Sequence, residues 1–373
     1  MTHHPVRKIL FCALITATGG CTQSAAPTGN AAEAIACPSP TLFDNAVCSC
    51  EDLTHVGELH IEQGPGGSGS VGVNGATQLV GQSDISGTLT SWQGLTAVGC
   101  SIGDSLITPG DVEFTGSATI NDNATVGGNL LAVGMLTVGG QLEVGGTSQM
   151  VGGQDVASQA PYQSPGQTPP CNCDPSTFFD VGAAVAAAKQ AANGQSNWTN
   201  VGQEQLHLST GSYYVTAAAT VGSTAIVIDG TVSVFVDGSL QQVGLEQWKI
   251  SPGAQLDLFV SGNVQSVGAL VAGDASQPDA FRVYVGGSND TSIQAVGTSV
   301  FYGAIYAPQA NIQYVGDAHV VGAIFAKSIL GVGSLTIDYG DQSAPPASCT
   351  PPPDGGSGSG SSGGTGDGSG IFL

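Results

Sequence analysis

The stretch FYGAIYAPQANIQYVGDAHVVGAIFAKSILGVG, residues 301–333, contains nearly the same phrase twice. Gly303-Ala304-Ile305-Tyr306-Ala307 returns 19 residues later as Gly322-Ala323-Ile324-Phe325-Ala326, and Val315-Gly316 returns after 17 residues as Val332-Gly333. Alternate residues of a strand share one face, and glycine lets the chain bend before the next strand. The repeat therefore predicts a chain that coils, with each coil presenting the same inward face to its neighbour.

The same period extends back through the second half of the chain. Val-Gly pairs recur there at steps of 20, 22, 24, 29, 19 and 17 residues. One turn of a parallel β-helix takes about 20 to 25 residues, and its corners tolerate insertions. The valines of these pairs are Val201, Val221, Val243, Val267, Val296, Val315 and Val332.

A shorter repeat of six residues occupies the first half. One apolar set falls at Ala118, Ala124, Leu130, Leu136 and Leu142, and a second set follows two positions later, from Ile120 to Met150. Glycine holds a third position of most repeats. Both halves therefore predict an all-β fold, a parallel β-helix or β-solenoid in two modules.

One segment favours a helix. Residues 174–194 begin with Asp174-Pro175, continue with an alanine-rich body and end at Asn193-Gly194. Proline suits the first turn of a helix, and Asn-Gly suits its end. The predicted apolar stripe is Phe178, Phe179, Val181, Val185 and Ala188. We expect this short helix to cap the open end of the second solenoid, and a binding arm is the alternative.

The first residues have the layout of an exported precursor. Arg7 and Lys8 precede a short apolar run, and small residues lead to Cys21. Thr18-Gly19-Gly20-Cys21 resembles the lipobox of bacterial lipoproteins, which implies that Cys21 is lipidated and becomes the new N-terminus. A plain secretion signal is the alternative. Thr22 is not the Asp that retains lipoproteins at the inner membrane, which favours the outer membrane.

The predicted organisation has six parts. Breaks in composition, rich in Pro, Ser and Gly, separate the ordered segments. The parts are a signal peptide (1–20), a flexible tether (21–47), a first solenoid module (48–153), a linker (154–170), a second module with the helix at its start (171–349) and a Gly/Ser-rich tail (350–373).

The charge of the chain limits its partners. Of 373 residues, 28 are Asp or Glu and 6 are Lys or Arg, which gives a formal net charge of -22. Such a surface repels nucleic acid and anionic lipid headgroups. We therefore expect no nucleic-acid partner, and contact with a membrane through the lipid anchor alone.

Seven cysteines follow Cys21, and in an exported chain most should be oxidised. Cys48 and Cys50 stand at the entrance of the first module, Cys171 and Cys173 at that of the second, and Cys349 after the last strand. We expect disulfides among these five that staple the ends of the solenoids. A thiolate metal site is the alternative, and no metal or cofactor is expected.

Candidate catalytic residues are few. Asp229, Asp237 and Asp257 lie near strand ends, and Arg282 is the one arginine after the signal, so a carbohydrate-active enzyme is an alternative. Asp229 and Asp237 precede glycine, as turn residues do. A hexapeptide acyltransferase needs a base in its coils, and no histidine falls between residues 61 and 206. We expect no catalytic residue and no enzyme activity.

The second half resembles an uncharacterised β-helical domain of bacterial surface lipoproteins and pilus-associated proteins. The resemblance covers about residues 171–349 and is carried by Cys171-Asn172-Cys173, Arg282-Val283-Tyr284-Val285 and Tyr302-Gly303-Ala304-Ile305-Tyr306-Ala307-Pro308. It implies a β-helix on the cell envelope and no catalytic assignment. The six-residue period resembles that of bactofilins, β-helical scaffold proteins, in pattern only.

Together these features predict a lipid-anchored cell-envelope protein that acts as a rigid structural, display or adhesion element. Its expected contacts are a surface polysaccharide or an envelope protein, on the periplasmic or the outer side of the outer membrane. A self-associating scaffold is the alternative.

Overall fold

A computed structural model describes residues 43–64, 67–164, 168–194, 205–216, 218–286 and 292–340. It is a parallel β-solenoid of about 11 turns with one short helix, so the predicted fold class is confirmed. The signal peptide, Cys21, Cys37, Cys349 and the C-terminal tail lie outside the described residues.

Two series of strands make up the solenoid. The first series is β1 (Val47–Ser49), β2 (Leu53–Glu62), β3 (Val71–Val73), β4 (Ala76–Ile85), β5 (Leu89–Ser91), β6 (Gly94–Ile102), β7 (Leu106–Thr108), β8 (Asp111–Ile120), β9 (Ala124–Val126), β10 (Leu130–Val144), β11 (Ser148–Val151) and β12 (Gln154–Pro161). The second is β13 (Gln205–Leu208), β14 (Gly211–Val215), β15 (Ala218–Ile228), β16 (Thr231–Val236), β17 (Leu240–Ile250), β18 (Gln255–Val260), β19 (Val264–Ala272), β20 (Phe281–Val285) and β21 (Ser292–Tyr339). Between them, a 3₁₀ turn at Pro175–Thr177 precedes α1 (Val181–Ala191).

Three six-residue repeats make one coil of the first series. Leu130 pairs with Val112 and Leu136 with Ala118, each 18 residues earlier, in the same parallel ladder. These side chains point into the coil and are at most 2% exposed. The period read from the sequence therefore sets the length of the coil, because three strand segments close one turn.

The opening repeat forms two adjacent coils. Gly322 stacks on the carbonyl of Gly303, and both have positive φ angles, 151° and 157°. The ring centroids of Tyr306 and Phe325 lie 5.5 Å apart, and both side chains are 1% exposed. The repeated phrase thus brings one aromatic ring onto another from coil to coil.

The order of the coils in the stack differs from the order in the chain. β1 pairs in parallel with the end of β21, Val47 beside Ile324 and Cys48 beside Phe325, and with β3 on its other side. β2 continues this pairing, up to Ile61 beside Ile337. The first series therefore continues the ladder where the second series ends, and the chain must return along the stack between β12 and β13.

A ladder of corner glycines runs through this junction without interruption. Gly57 (φ 129°) stands on the carbonyl of Gly333 (φ 124°), and a Cβ built on Gly57 would lie 1.9 Å from that oxygen. An L-residue with a side chain would clash there and would be strained at such a φ. Twelve glycines form the ladder: Gly222, Gly244, Gly268, Gly297, Gly316, Gly333, Gly57, Gly81, Gly99, Gly116, Gly134 and Gly152.

The structure differs from the sequence prediction at the edges of two segments. Residues 154–161, assigned to the linker, form β12 and pair with β10. The last residues of the predicted tether already belong to the body, since Phe43 is buried and β1 begins at Val47. The assignment of residues 48–153 and 171–349 to separate domains stays a prediction.

The helix is confirmed, but its position is not the one predicted. α1 begins after Asp180, whose carboxylate accepts a bond from Ala183 N, and Asn193 and Gly194 with positive φ follow its end. It packs on β14, β16 and β18, so it lies across successive coils on their flank and not over the open end. The physical reason is the outer side of these strands, which carries buried aromatic rings that α1 covers.

Candidate functional site at the junction of the coil series

Residues 171–191 form a clamp that crosses the junction on the outside of the coils. Cys171 is bonded to Cys48 and Cys173 to Cys50, each over a separation of 123 residues. Asn74 holds the same point through two hydrogen bonds: its Nδ2 donates to Cys171 O (2.9 Å) and its Oδ1 accepts from Cys171 N (3.0 Å). The cysteines predicted to staple each module separately thus join the two segments to each other.

Beyond the disulfides the clamp packs on a row of aromatic side chains. Phe178 meets the ring of Phe325 edge-on, and Phe179 lies 5.8 Å from Phe259 and 5.7 Å from Tyr284. The hydroxyl of Tyr306 accepts a bond from Phe179 N at 3.1 Å. Burial raises the pKa of Tyr306 to about 12, so this hydroxyl remains protonated at neutral pH.

The aromatic row itself was missed by sequence reasoning. Phe235, Phe259, Tyr284, Tyr306 and Phe325 stack in this order, and the first two steps measure 4.8 Å between centroids. The signal was available, since the aromatic residues hold matching positions in FVDGS and FVSGN. We had considered exposed tyrosines as a sugar-stacking ladder, but Tyr214, Tyr306 and Tyr314 are buried.

The far end of the clamp is fixed by charge. Lys189 Nζ lies 2.8 Å from Asp237 Oδ2, which also accepts a bond from the Tyr214 hydroxyl. The hydrogen bond with Lys189 lowers the pKa of Asp237, and the same bond raises the pKa of Lys189. Asp237, an acid considered for catalysis, therefore anchors α1.

A groove lies between the clamp and the coils. It consists of two adjoining cavities, about 330 Å³ and about 600 Å³, which share Pro175, Phe178, Pro308 and Gln309 as walls. The larger cavity also reaches the Cys50–Cys173 disulfide, Glu51 and Lys327, and the last two are 3.8 Å apart. Prolines, a ring and an amide beside an ion pair offer contacts for an extended peptide or an oligosaccharide.

The other candidate acids take part in separate interactions. Asp257 accepts a bond from Arg282 Nε at 2.7 Å, and both side chains are buried. Asp229 lies on the surface and binds His207 Nδ1 and Ser251 Oγ, each at 2.7 Å. The hydrogen bond with His207 lowers the pKa of Asp229. The serine here donates to the carboxylate and not to the imidazole, which is not the arrangement that activates a serine nucleophile.

The histidines have distinct surroundings. His60 and His319 pair with Asp84 and Asp338 at the surface, at 3.2 and 2.9 Å. His55 is buried at the junction, where its Nδ1 bonds the hydroxyl of Tyr314 and the rings stack. Desolvation lowers the pKa of His55, so it is neutral at pH 7. Among the described residues, no group of three or more His, Cys, Asp and Glu side chains is placed to hold a metal ion.

The remaining cysteine of the described ranges is Cys100, which is buried inside the first series. Burial raises the pKa of its thiol to about 12, and a thiol that stays protonated is a poor nucleophile and metal ligand.

Comparison with known proteins gives one match. Residues 170–344 match the family model described as "Domain of unknown function (DUF7305)". This agrees with the expected uncharacterised β-helical domain, because the matched residues include the clamp and the second series of coils. No curated protein and no solved structure matches the chain. In the described part of the chain, no helix is long and apolar enough to cross a membrane.

Proposed function

We propose that the protein is a lipid-anchored element of the cell envelope, whose stacked coils display a surface for adhesion or structural contact. The observation that supports this most strongly is the clamped junction. Hydrogen bonding between β1, β2 and β21 joins the two coil series, and two disulfides close over that joint. A β-solenoid of this kind is compatible with a rigid structural role.

The anchor is proposed from the sequence. Cys21 receives the lipid, the following small and polar residues act as the tether, and the outer membrane is the proposed location. The disulfides are compatible with an oxidising compartment.

The proposed contact site is the groove beside the clamp. It has apolar and amide walls and one ion pair, and it suits a surface polysaccharide or an extended segment of an envelope protein. The proposal includes no catalytic activity, since the candidate acids are bound to Lys189, Arg282, His207 and Ser251.

Metabolic labelling with an alkyne fatty acid tests the anchor. The wild-type chain should take up the label and fractionate with outer membranes, and Cys21→Ser should lose both properties. A Cys100→Ser variant is the matched control, because it removes a buried thiol and should remain labelled. Labelling of intact cells with an antibody to residues 43–340 then separates outward display from a periplasmic position. An unlabelled wild-type protein would refute the anchor.

A self-associating scaffold is the second candidate. Among the described strands, β12 pairs only with β10 and β13 only with β15, so each end of the stack has strand edges open to another chain. Light scattering tests this idea: end-to-end stacking predicts species that keep growing with concentration.

A further inference from the structure

The corner glycines align a row of exposed valines on one side of the coils. In each rung, the residue before the corner glycine points outward, and in ten rungs with described side chains it is a valine. These valines are 37 to 52% exposed. They are Val56, Val80, Val98, Val133, Val151, Val243, Val267, Val296, Val315 and Val332. They make up ten of the fourteen exposed large apolar side chains in the described ranges, so the exposed apolar surface is concentrated and not scattered.

The neighbouring outward row has little charge. Two positions before each valine, glutamine occupies six rungs: Gln78, Gln149, Gln241, Gln265, Gln294 and Gln313. The ladder register places these residues beside one another, as with Gln241 and Gln265. In eleven rungs with two outward positions each, Glu113 is the one charged residue. We call these two rows the valine face.

The valine face is large enough for a specific interface. Twelve rungs at about 4.8 Å give a length of roughly 53 Å, and four residues of strand give a width of roughly 13 Å. One copy therefore offers roughly 700 Å², and two copies would bury roughly 1,400 Å². That total lies within the range of stable interfaces, about 1,200 to 2,000 Å².

We propose that the valine face is the contact between two copies of this chain, packed side by side. A second copy matches the face in flatness, length and rung spacing, so valine meets valine along the whole row. Contact through this face leaves most of the net charge of -22 on other surfaces. In an antiparallel pair with full overlap, the rung of Glu113 opposes that of Gln265, and no two carboxylates face each other.

This proposal is independent of the lipid anchor and of the groove, and it differs from end-to-end stacking because it stops at two copies. An isologous contact buries the same face on both partners and leaves none for a third.

Sedimentation equilibrium of the full-length chain carrying Cys21→Ser tests the proposal. We expect a dimer at micromolar concentration and at least a 100-fold weaker association in a Val98→Lys/Val267→Lys variant. The matched control is Thr119→Lys/Thr137→Lys, which adds the same charge at outward positions past the corner, on β8 and β10. Its association should change less than threefold, and circular dichroism should show the same fold in all three proteins.

Three results would overturn the proposal. They are a monomeric wild-type protein at all concentrations, an unchanged dimer in the valine variant, and an equal loss in both variants. A monomer that instead binds a polysaccharide through the valine face would also count against it.

Discussion

The buried pair of Asp257 and Arg282 is the residue-scale feature with the largest expected energy. Removal of one partner of a buried pair leaves an uncompensated charge and costs about 3 to 5 kcal/mol. We expect this loss in the free energy of unfolding of Asp257→Ala, measured with urea. The surface variant Asp229→Asn is the control and should change stability little, since its partner His207 is solvent-exposed.

An Asp257→Leu/Arg282→Met variant completes the cycle. Apolar replacement of both partners should restore much of the lost stability, because neither charge is then buried alone. Additive losses from the two single changes would contradict the assignment of these residues as a pair.

Glu246 gives a second residue-scale prediction. Burial raises its pKa, and its carboxyl group bonds Thr220 and Trp248 inside the coil. The folded protein therefore holds this proton more tightly than the unfolded chain does. The stability that Glu246 contributes is present below its unfolded pKa of about 4.5 and is lost as pH rises through the folded pKa.

We expect Glu246→Gln to gain stability relative to the wild type as pH rises from 4 to 8, by about 1.4 kcal/mol for each unit of raised pKa. Urea unfolding at several pH values measures the difference. A difference that is constant over this range would show that Glu246 does not titrate with folding.

Alternation along the strands predicts much at this scale. Leu130, Leu136 and Val138 were expected inside and are buried. Alternation fails for Asp257 and for the outer aromatic row, because these side chains point away from the coil and are buried nonetheless. A strand pattern does not say which outer positions another segment will cover.

At the scale of elements, the clamp is the feature that connects distant parts of the chain. The sequence predicted α1, its apolar stripe and the cysteines, and all of these features are present. It did not predict that Cys171 pairs with Cys48 or that the helix lies on the flank. Both depend on which coils meet at the junction, and the composition of the clamp does not contain that information.

Loss of both disulfides should destabilise the protein by about 4 to 5 kcal/mol, as expected for a closed loop of about 100 residues. Loss of one pair, in Cys48→Ser/Cys171→Ser, should cost much less, because Cys50–Cys173 closes nearly the same loop. Thermal unfolding with and without reductant compares the three proteins. A full loss from the first pair alone would contradict this shared role.

At the scale of the whole molecule, the central claim is the order of the coils. Every coil presents a similar strand edge and a corner glycine, so the repeats fit onto one another in more than one order. The contact between Val47 and Ile324 joins residues 277 positions apart. The repeat therefore predicts the coils but not their sequence along the stack.

Distances between pairs of spin labels test this order most directly. Labels at Glu58→Cys and Ser334→Cys occupy register partners across the junction and should show strong dipolar broadening. Labels at Gln149→Cys and Ser223→Cys occupy opposite ends of the glycine ladder and should lie roughly 50 Å apart, given about 4.8 Å per rung. The reverse result, a short distance for the second pair and no broadening for the first, would mean that the two series stack in chain order and that the junction described here does not exist.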